Sequence, residues 1–246
     1  LSLALLAATL LAATPLAAQD ALSPAEGAAV DDRIRAYILD NPEIILEALE
    51  VLETRRQAQA EATDAALTAD HAEALLDDGY SAVLGDPEGD VTIVEFVDYR
   101  CGYCKRAHPQ TRALLEADGN IRLVVKEFPI LGPASLEAAR AAMAALRIAP
   151  DRYEPFHDAL MRLRGPLDEA ATFRLAEEAG LDPERLRAAM RSEGDAIAAE
   201  IRRTYDLARA LGIEGTPAFV IGDRILRGLA DPERMRALVA EARGEG

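Results

Sequence analysis

Apolar positions along the chain fall into stretches with helical spacing and short continuous runs, and this pattern predicts the elements. Leu1 to Ala18 is an apolar stretch, rich in Leu and Ala and ending in small residues. Polar sequence follows at once, which predicts a secretory signal peptide cut after Ala18; the stretch is short for a membrane span. Val30, Ile34, Tyr37 and Ile38 then recur at the spacing of one helix face. Asn41-Pro42-Glu43 interrupts them. Asn caps a helix, Pro suits a first turn, and Glu favours its positive end. A second amphipathic stretch carries Ile44, Ile45, Leu49 and Leu52 on one side. Beyond Leu52 large apolar residues nearly vanish, and Glu53 to Asp70 reads as a solvated helix.

The pattern changes past residue 80. Val91–Val97 is a continuous apolar run broken by Glu95, Cys101–Asp118 has helical spacing, and Ile121–Phe128 is a second run. A strand–helix–strand unit of this length predicts a right-handed crossover between parallel strands. Residues 134–212 predict several helices, separated by Ala149-Pro150, Gly165-Pro166, Gly180, Asp182-Pro183, Gly194 and Gly212. Pro217–Gly222 and Arg224–Arg227 predict a hairpin turning at Gly222-Asp223. A last helix runs from Asp231 to Ala242.

Composition divides the 246 residues into a signal peptide (1–18), a helical spacer and association segment (22–78), and a mixed α/β domain (79–246) with a helical insertion at about 134–212. The short apolar face of Val30–Leu52 cannot bury itself alone, so the expected partner is another copy of the chain, a homo-oligomer formed through residues 30–52. A helix laid back on its own domain is the alternative. With 27 basic and 43 acidic residues, the net charge is −16. That argues against nucleic acid and anionic membrane as partners.

Only two cysteines occur, in Cys101-Gly102-Tyr103-Cys104, directly after a predicted strand and at the head of a predicted helix. The positive end of a helix stabilises a thiolate on the first cysteine, and the thiolate is the nucleophile of disulfide exchange. The second, one turn later, is positioned to resolve a mixed disulfide. A zinc site is the competing reading, but it needs four ligands, and His71, His108 and His157 are scattered. A structural bridge over so small a loop would constrain the unfolded chain little. Export to an oxidising compartment, the bacterial periplasm, fits a lone redox pair.

The segment Phe96-Val97-Asp98-Tyr99-Arg100-Cys101-Gly102-Tyr103-Cys104, the helical insertion, and Gly215-Thr216-Pro217-Ala218-Phe219 together resemble the DsbA-type branch of the thioredoxin superfamily, over residues 78–244. The resemblance implies a thioredoxin fold with Cys101 as the exposed nucleophile and Cys104 as the buried resolving thiol. It implies a cis Thr216–Pro217 bond facing the pair, with the Thr216 backbone pairing with substrate. Pro109 matches a helix-kinking position. Glu95 resembles a buried acid with raised pKa that relays the resolving thiol's proton, with Lys126 on the next strand as its partner. For Glu95 and Lys126 the alternative is a solvated strand-edge charge. Gly102 and Tyr103 would tune the pair.

Asp31 to Ile45 is similar to the N-terminal segment of the suppressor-of-copper-sensitivity C (ScsC) proteins, some of which assemble as trimers. The Gly-Tyr dipeptide departs from that group and is similar to DsbC-type isomerases. The expected function is a periplasmic thiol–disulfide oxidoreductase, leaning to isomerase or reductase. It would act on exported proteins with cysteines, be reset by a membrane or periplasmic redox partner, and need no cofactor beyond the dithiol. A DsbA-like oxidase, a copper-binding protein using the same thiols, and a docking protein are the alternatives.

Overall fold

The computed structural model describes residues 23–244; the expected signal peptide lies outside them. The chain divides into two compact units between Arg56 and Gln57. Among the described residues no helix is long and apolar enough to cross a membrane.

The first unit holds α1 (Pro24–Asp40) and the start of α2 (Glu43–Asp70). Ser23 and Glu26 form a reciprocal capping box at the head of α1. Asn41 ends α1, its backbone N–H donating to the Tyr37 carbonyl. No side chain of α1 is buried. Val30, Ile34, Tyr37, Leu39, Ile45, Leu46, Leu49, Val51 and Leu52 are all exposed.

The second unit comprises the rest of α2, then α3 (Ala72–Leu76), β1 (Ala82–Gly85), β2 (Val91–Val97), α4 (Gly102–Asp118) and β3 (Ile121–Glu127). Five helices follow: α5 (Pro133–Ile148), α6 (Pro150–Arg162), α7 (Glu169–Glu178), α8 (Pro183–Ser192) and α9 (Gly194–Ala210). The hairpin β4 (Ala218–Ile221) and β5 (Arg224–Arg227) and the helix α10 (Pro232–Arg243) complete it. The boundary expected from composition lay at residue 78. The later part of α2 instead belongs with the larger unit, where Glu61 pairs with Arg224 and Asp64 with Arg227 of β5.

The strands form one sheet in the order β1-β3-β2-β4-β5. β2 and β3 are parallel, as the crossover predicts, and the other neighbours are antiparallel. Gly222 turns the hairpin at φ 57°, a left-handed conformation that glycine adopts without strain. The strand β1 had no counterpart in the apolar pattern, because four residues are too few to establish a period.

Alternate side chains divide between two cores. Ile93, Val97, Leu123, Val125, Phe219 and Ile221 pack with Leu114 and Leu115 of α4 and with the helical insertion. Val94, Phe96, Val124, Phe128, Ala218 and Val220 pack on the opposite side with Leu75 of α3 and Leu207 near the end of α9. The centre of the insertion is α5, whose buried Ala138, Ala139, Ala141, Ala142, Ala144 and Ala145 let helix backbones approach closely.

Lys126 belongs to the second side. It is fully buried and donates to Asp78 and, at 2.7 Å, to the Ala74 carbonyl, fastening α3 and its following loop to the sheet. Burial lowers its pKa, and Asp78 opposes that. Lys126→Met should destabilise the fold by roughly 3 kcal/mol, because it strands a buried carboxylate. Adding Asp78→Asn should recover part of that loss. Urea unfolding of the single and double variants measures both.

Candidate active site

Cys101 is the N-cap of α4, in extended backbone conformation, and its Sγ accepts the Cys104 backbone N–H at 3.3 Å. A sulfur thus occupies the place where helices usually carry Ser, Asp or Asn. Both cysteines carry free thiols. Cys104 is fully buried; Cys101 is 6 % exposed. The expectation of an exposed nucleophile is corrected: only a sliver of Cys101 reaches the surface. The Cys101 sulfur lies 3.1 Å from the Thr216 carbonyl oxygen, to which it donates only while protonated. The Thr216–Pro217 peptide is cis.

The two thiols shift in opposite directions for one reason. A hydrogen bond from the Cys104 thiol to the Cys101 sulfur is the largest cause holding Cys101 down, at about 5, against burial. The same bond is the largest cause raising Cys104, with burial adding to it. The Thr216 side chain lowers both, and the backbone N–H groups of Tyr103 and Cys104 lower Cys101 further. Tyr103 therefore acts on the pair through its backbone, while its 56 % exposed ring lies under Arg106, 4.0 Å away. A Cβ at Gly102 would meet nothing within 4 Å, so no steric demand selects glycine there.

Glu95 sits on β2 between Ile93 and Val97, on the side of the sheet shared with Cys101 and Cys104. It is 2 % exposed, and burial raises its pKa to about 8. The expected partnership with Lys126 is overturned. Lys126 is opposite Phe96, one step out of phase with Glu95, so the pleat turns the two to opposite sides. His108, four residues past Cys104, does not extend the thiol pair either. Its Nε2 is 3.0 Å from Asp158 Oδ1, without hydrogen-bond alignment, and its ring lies edge-on to His157.

Sequence reasoning missed two groups. Asp98, 1 % exposed, accepts from Arg100 N (2.7 Å) and Ser135 Oγ (2.8 Å) at Oδ1, and from Leu131 N (2.9 Å) at Oδ2. Its carbonyl takes the Cys101 N–H at 3.0 Å. One carboxylate thus ties the cysteine turn to the head of α5. Glu127, opposite Val97, shares Glu95's side of the sheet. Its Oε1 accepts from Tyr99 (2.7 Å) and Tyr153 (3.1 Å). His157 Nδ1 is 3.0 Å from the Tyr99 hydroxyl. With the phenol proton on Glu127, that nitrogen is the donor. Burial raises Glu127 to about 8 despite the phenols, and burial lowers His157 to about 3. The sequence signal available was Asp98 and Tyr99 just before the motif, and a charge ending an apolar strand.

Raised carboxyl pKa values fix a sign. Glu95 and Glu127 keep their protons to about pH 8 when folded, against 4.5 ordinarily. The native state therefore binds more protons between those values, and stability falls as pH rises through the window. Cys101, with its pKa lowered, acts in the opposite direction above about pH 5. The readout is thus the difference between wild type and Glu95→Gln in one redox state. Glu95→Gln should gain on wild type by on the order of 1–3 kcal/mol from pH 5 to pH 8 in urea unfolding.

Comparison with known proteins agrees with this geometry. Residues 92–240 match the DSBA-like thioredoxin domain, and residues 26–59 match the copper resistance protein ScsC N-terminal domain. A thioredoxin-like oxidoreductase from Silicibacter pomeroyi is 44% identical, with a TM-score of 0.67, covering 71% of this chain and 98% of that one. ScsC of Proteus mirabilis, in a transitional conformation, is 29% identical with a TM-score of 0.63, covering 92% and 99%. The Na(+)/H(+) antiporter NhaA 1 of Salinispora arenicola is 33% identical over 162 residues, which span 65% of this chain and 24% of the antiporter. The thiol pair at the head of α4, the five-stranded sheet and its helical insertion are those of one family: the chain belongs to the DsbA-like thioredoxin domain family.

Proposed function

We propose that the protein is a thiol–disulfide oxidoreductase of exported proteins, acting in the periplasm as a disulfide isomerase or reductase. The observation that carries this reading is the Cys101 sulfur as the cap of α4, hydrogen-bonded to Cys104 and lying beside Thr216–Pro217. At neutral pH Cys101 is a thiolate, since its pKa is about 5. It attacks one sulfur of a client disulfide. The second client sulfur leaves as thiolate, and Cys101 is left in a mixed disulfide.

Two outcomes follow from that intermediate. If Cys104 loses its proton and attacks the Cys101 sulfur, the client departs with both sulfurs reduced and the pair is oxidised by two electrons. If a different client cysteine attacks the client sulfur of the mixed disulfide instead, a new client disulfide forms and Cys101 leaves as thiolate. The client is then isomerised with the pair unchanged; attack by the released thiolate only restores the original disulfide. Burial favours the protonated thiol of Cys104. Glu95, buried on the same side of the sheet, is our candidate to take its proton. The Thr216 backbone is our candidate to pair with an extended client segment.

The lean to isomerase rests on the Gly102-Tyr103 dipeptide and on association. The exposed apolar side chains of Val30 to Leu52 would be covered by a second copy of the chain, holding two or more dithiols around one client.

Iodoacetamide alkylation of Cys101 should titrate with a midpoint near 5. In Cys104→Ala the midpoint should rise, because the side-chain donor to the Cys101 sulfur is gone. Cys101→Ser with Cys104→Ser should abolish reduction of insulin and rescue of scrambled ribonuclease; retained activity would refute the proposal. Sedimentation at micromolar concentration should show an oligomer that becomes monomeric when residues 22–60 are removed. A monomeric parent would refute the association.

A further inference from the structure

A cleft of about 530 Å³ opens beside the cysteine turn, with Arg100 and Lys105 in its wall. The rest of the wall is uncharged: Pro133 and Ala134 of α5, and Gly165–Leu167 between α6 and α7. Arg100 directly precedes Cys101, and the Lys105 backbone N–H donates to the Cys101 carbonyl at 3.1 Å. The cleft therefore shares the turn that carries the nucleophile.

Both cations are held by backbone carbonyls. Arg100 Nη1 donates to Leu131 O, and Lys105 Nζ donates to Leu163 O at 2.7 Å. Neither forms an ion pair among the described residues. The chain has 43 acidic side chains to 27 basic ones, so a cleft whose wall holds two cations and no acidic side chain runs against its overall charge. Burial lowers the Lys105 pKa, opposed only by Asp98. Asp98 is itself buried, and its two oxygens accept from three other donors, so it acts on Lys105 through its charge and makes no direct ion pair with it. An ammonium has three donors and a guanidinium five, which leaves most of them open.

We propose that this cleft is a subsite for the carboxylate of an acidic side chain beside the reacting cysteine of a polypeptide client. The inference rests on the oxidoreductase reading and names a client class for it: segments with Glu or Asp next to cysteine. Coulomb attraction from the whole protein cannot produce this preference, because a net charge of −16 repels acidic peptides. A preference for acid must come from the local cations.

The test uses the reduced full-length protein and single-cysteine peptides activated as mixed disulfides with 2-mercaptoethanol. Cysteine is flanked by Glu, Gln or Lys, and the single-turnover rate of mixed-disulfide formation is measured. The Glu peptide should react faster than the Gln peptide by about threefold to tenfold at low salt, and the Lys peptide slowest. The Glu/Gln ratio should fall towards one in high salt and in Arg100→Gln with Lys105→Gln. Arg100→Lys should retain it. Equal rates in wild type, or an unchanged ratio in the double variant, would overturn the subsite and leave the oxidoreductase reading intact. Acceleration with glutathione disulfide but not with the Glu peptide would overturn the assignment to polypeptide clients. Failure of every peptide to react would sink the oxidoreductase reading, and this inference with it.

Discussion

The site depends on one substitution of chemistry: a sulfur where a helix needs an acceptor. The backbone N–H groups at a helix start have no intrahelical partner, and α4 offers one of them to Cys101 Sγ. A neutral thiol is a poor acceptor, and a thiolate is a good one. The folded chain therefore favours the charged form, before any side chain beyond the motif contributes. Cys104 strengthens the bias by donating its proton into a bond with the same sulfur. That bond also sets the order of events. While Cys101 is a free thiolate, Cys104 is held protonated. Once Cys101 is in a mixed disulfide, the acceptor weakens and the resolving thiol is released from that constraint.

The sheet keeps two kinds of buried charge apart. On one side Lys126 and Asp78 form a pair that does structural work, joining α3 to the sheet. On the other, Glu95 and Glu127 have no buried cation among the described residues, and burial holds both protonated over much of the neutral range. Had Lys126 been one residue earlier, it would have faced Glu95 and favoured its ionised form. Strand phase thus decides whether a buried acid is a spectator in an ion pair or a group that can exchange a proton near neutrality.

Much of this was legible in the sequence. The parallel pair β2–β3, the hairpin at Gly222 and the position of the cysteines follow from apolar runs, turn residues and a Cys-x-x-Cys spacing, all local signals. The partner of Lys126 was not legible, because it lies 48 residues away on an irregular segment. Strand alternation alone would still have separated it from Glu95, given the register. Asp98 and Glu127 escaped notice for a related reason. Each gains meaning from groups on the helical insertion, Ser135 and Tyr153, which no local pattern links to the motif.

Those links give the insertion a role beyond filling the core. Asp98 is the residue through which it acts on the turn. Its two oxygens join the Arg100 backbone to Leu131 and Ser135, and Arg100 returns a bond to the Leu131 carbonyl. The loop carrying Cys101 is thereby closed from both directions against the start of α5. Such a clasp fixes where the sulfur stands relative to Thr216 with backbone precision, since most of its bonds are made by main-chain groups. Tyr153 and His157 of α6 brace the ends of β2 and β3 through Tyr99 and Glu127. The thioredoxin-like sheet supplies the cap geometry, and the inserted helices supply the rigidity that keeps a helix cap, rather than a mobile side chain, as the nucleophile.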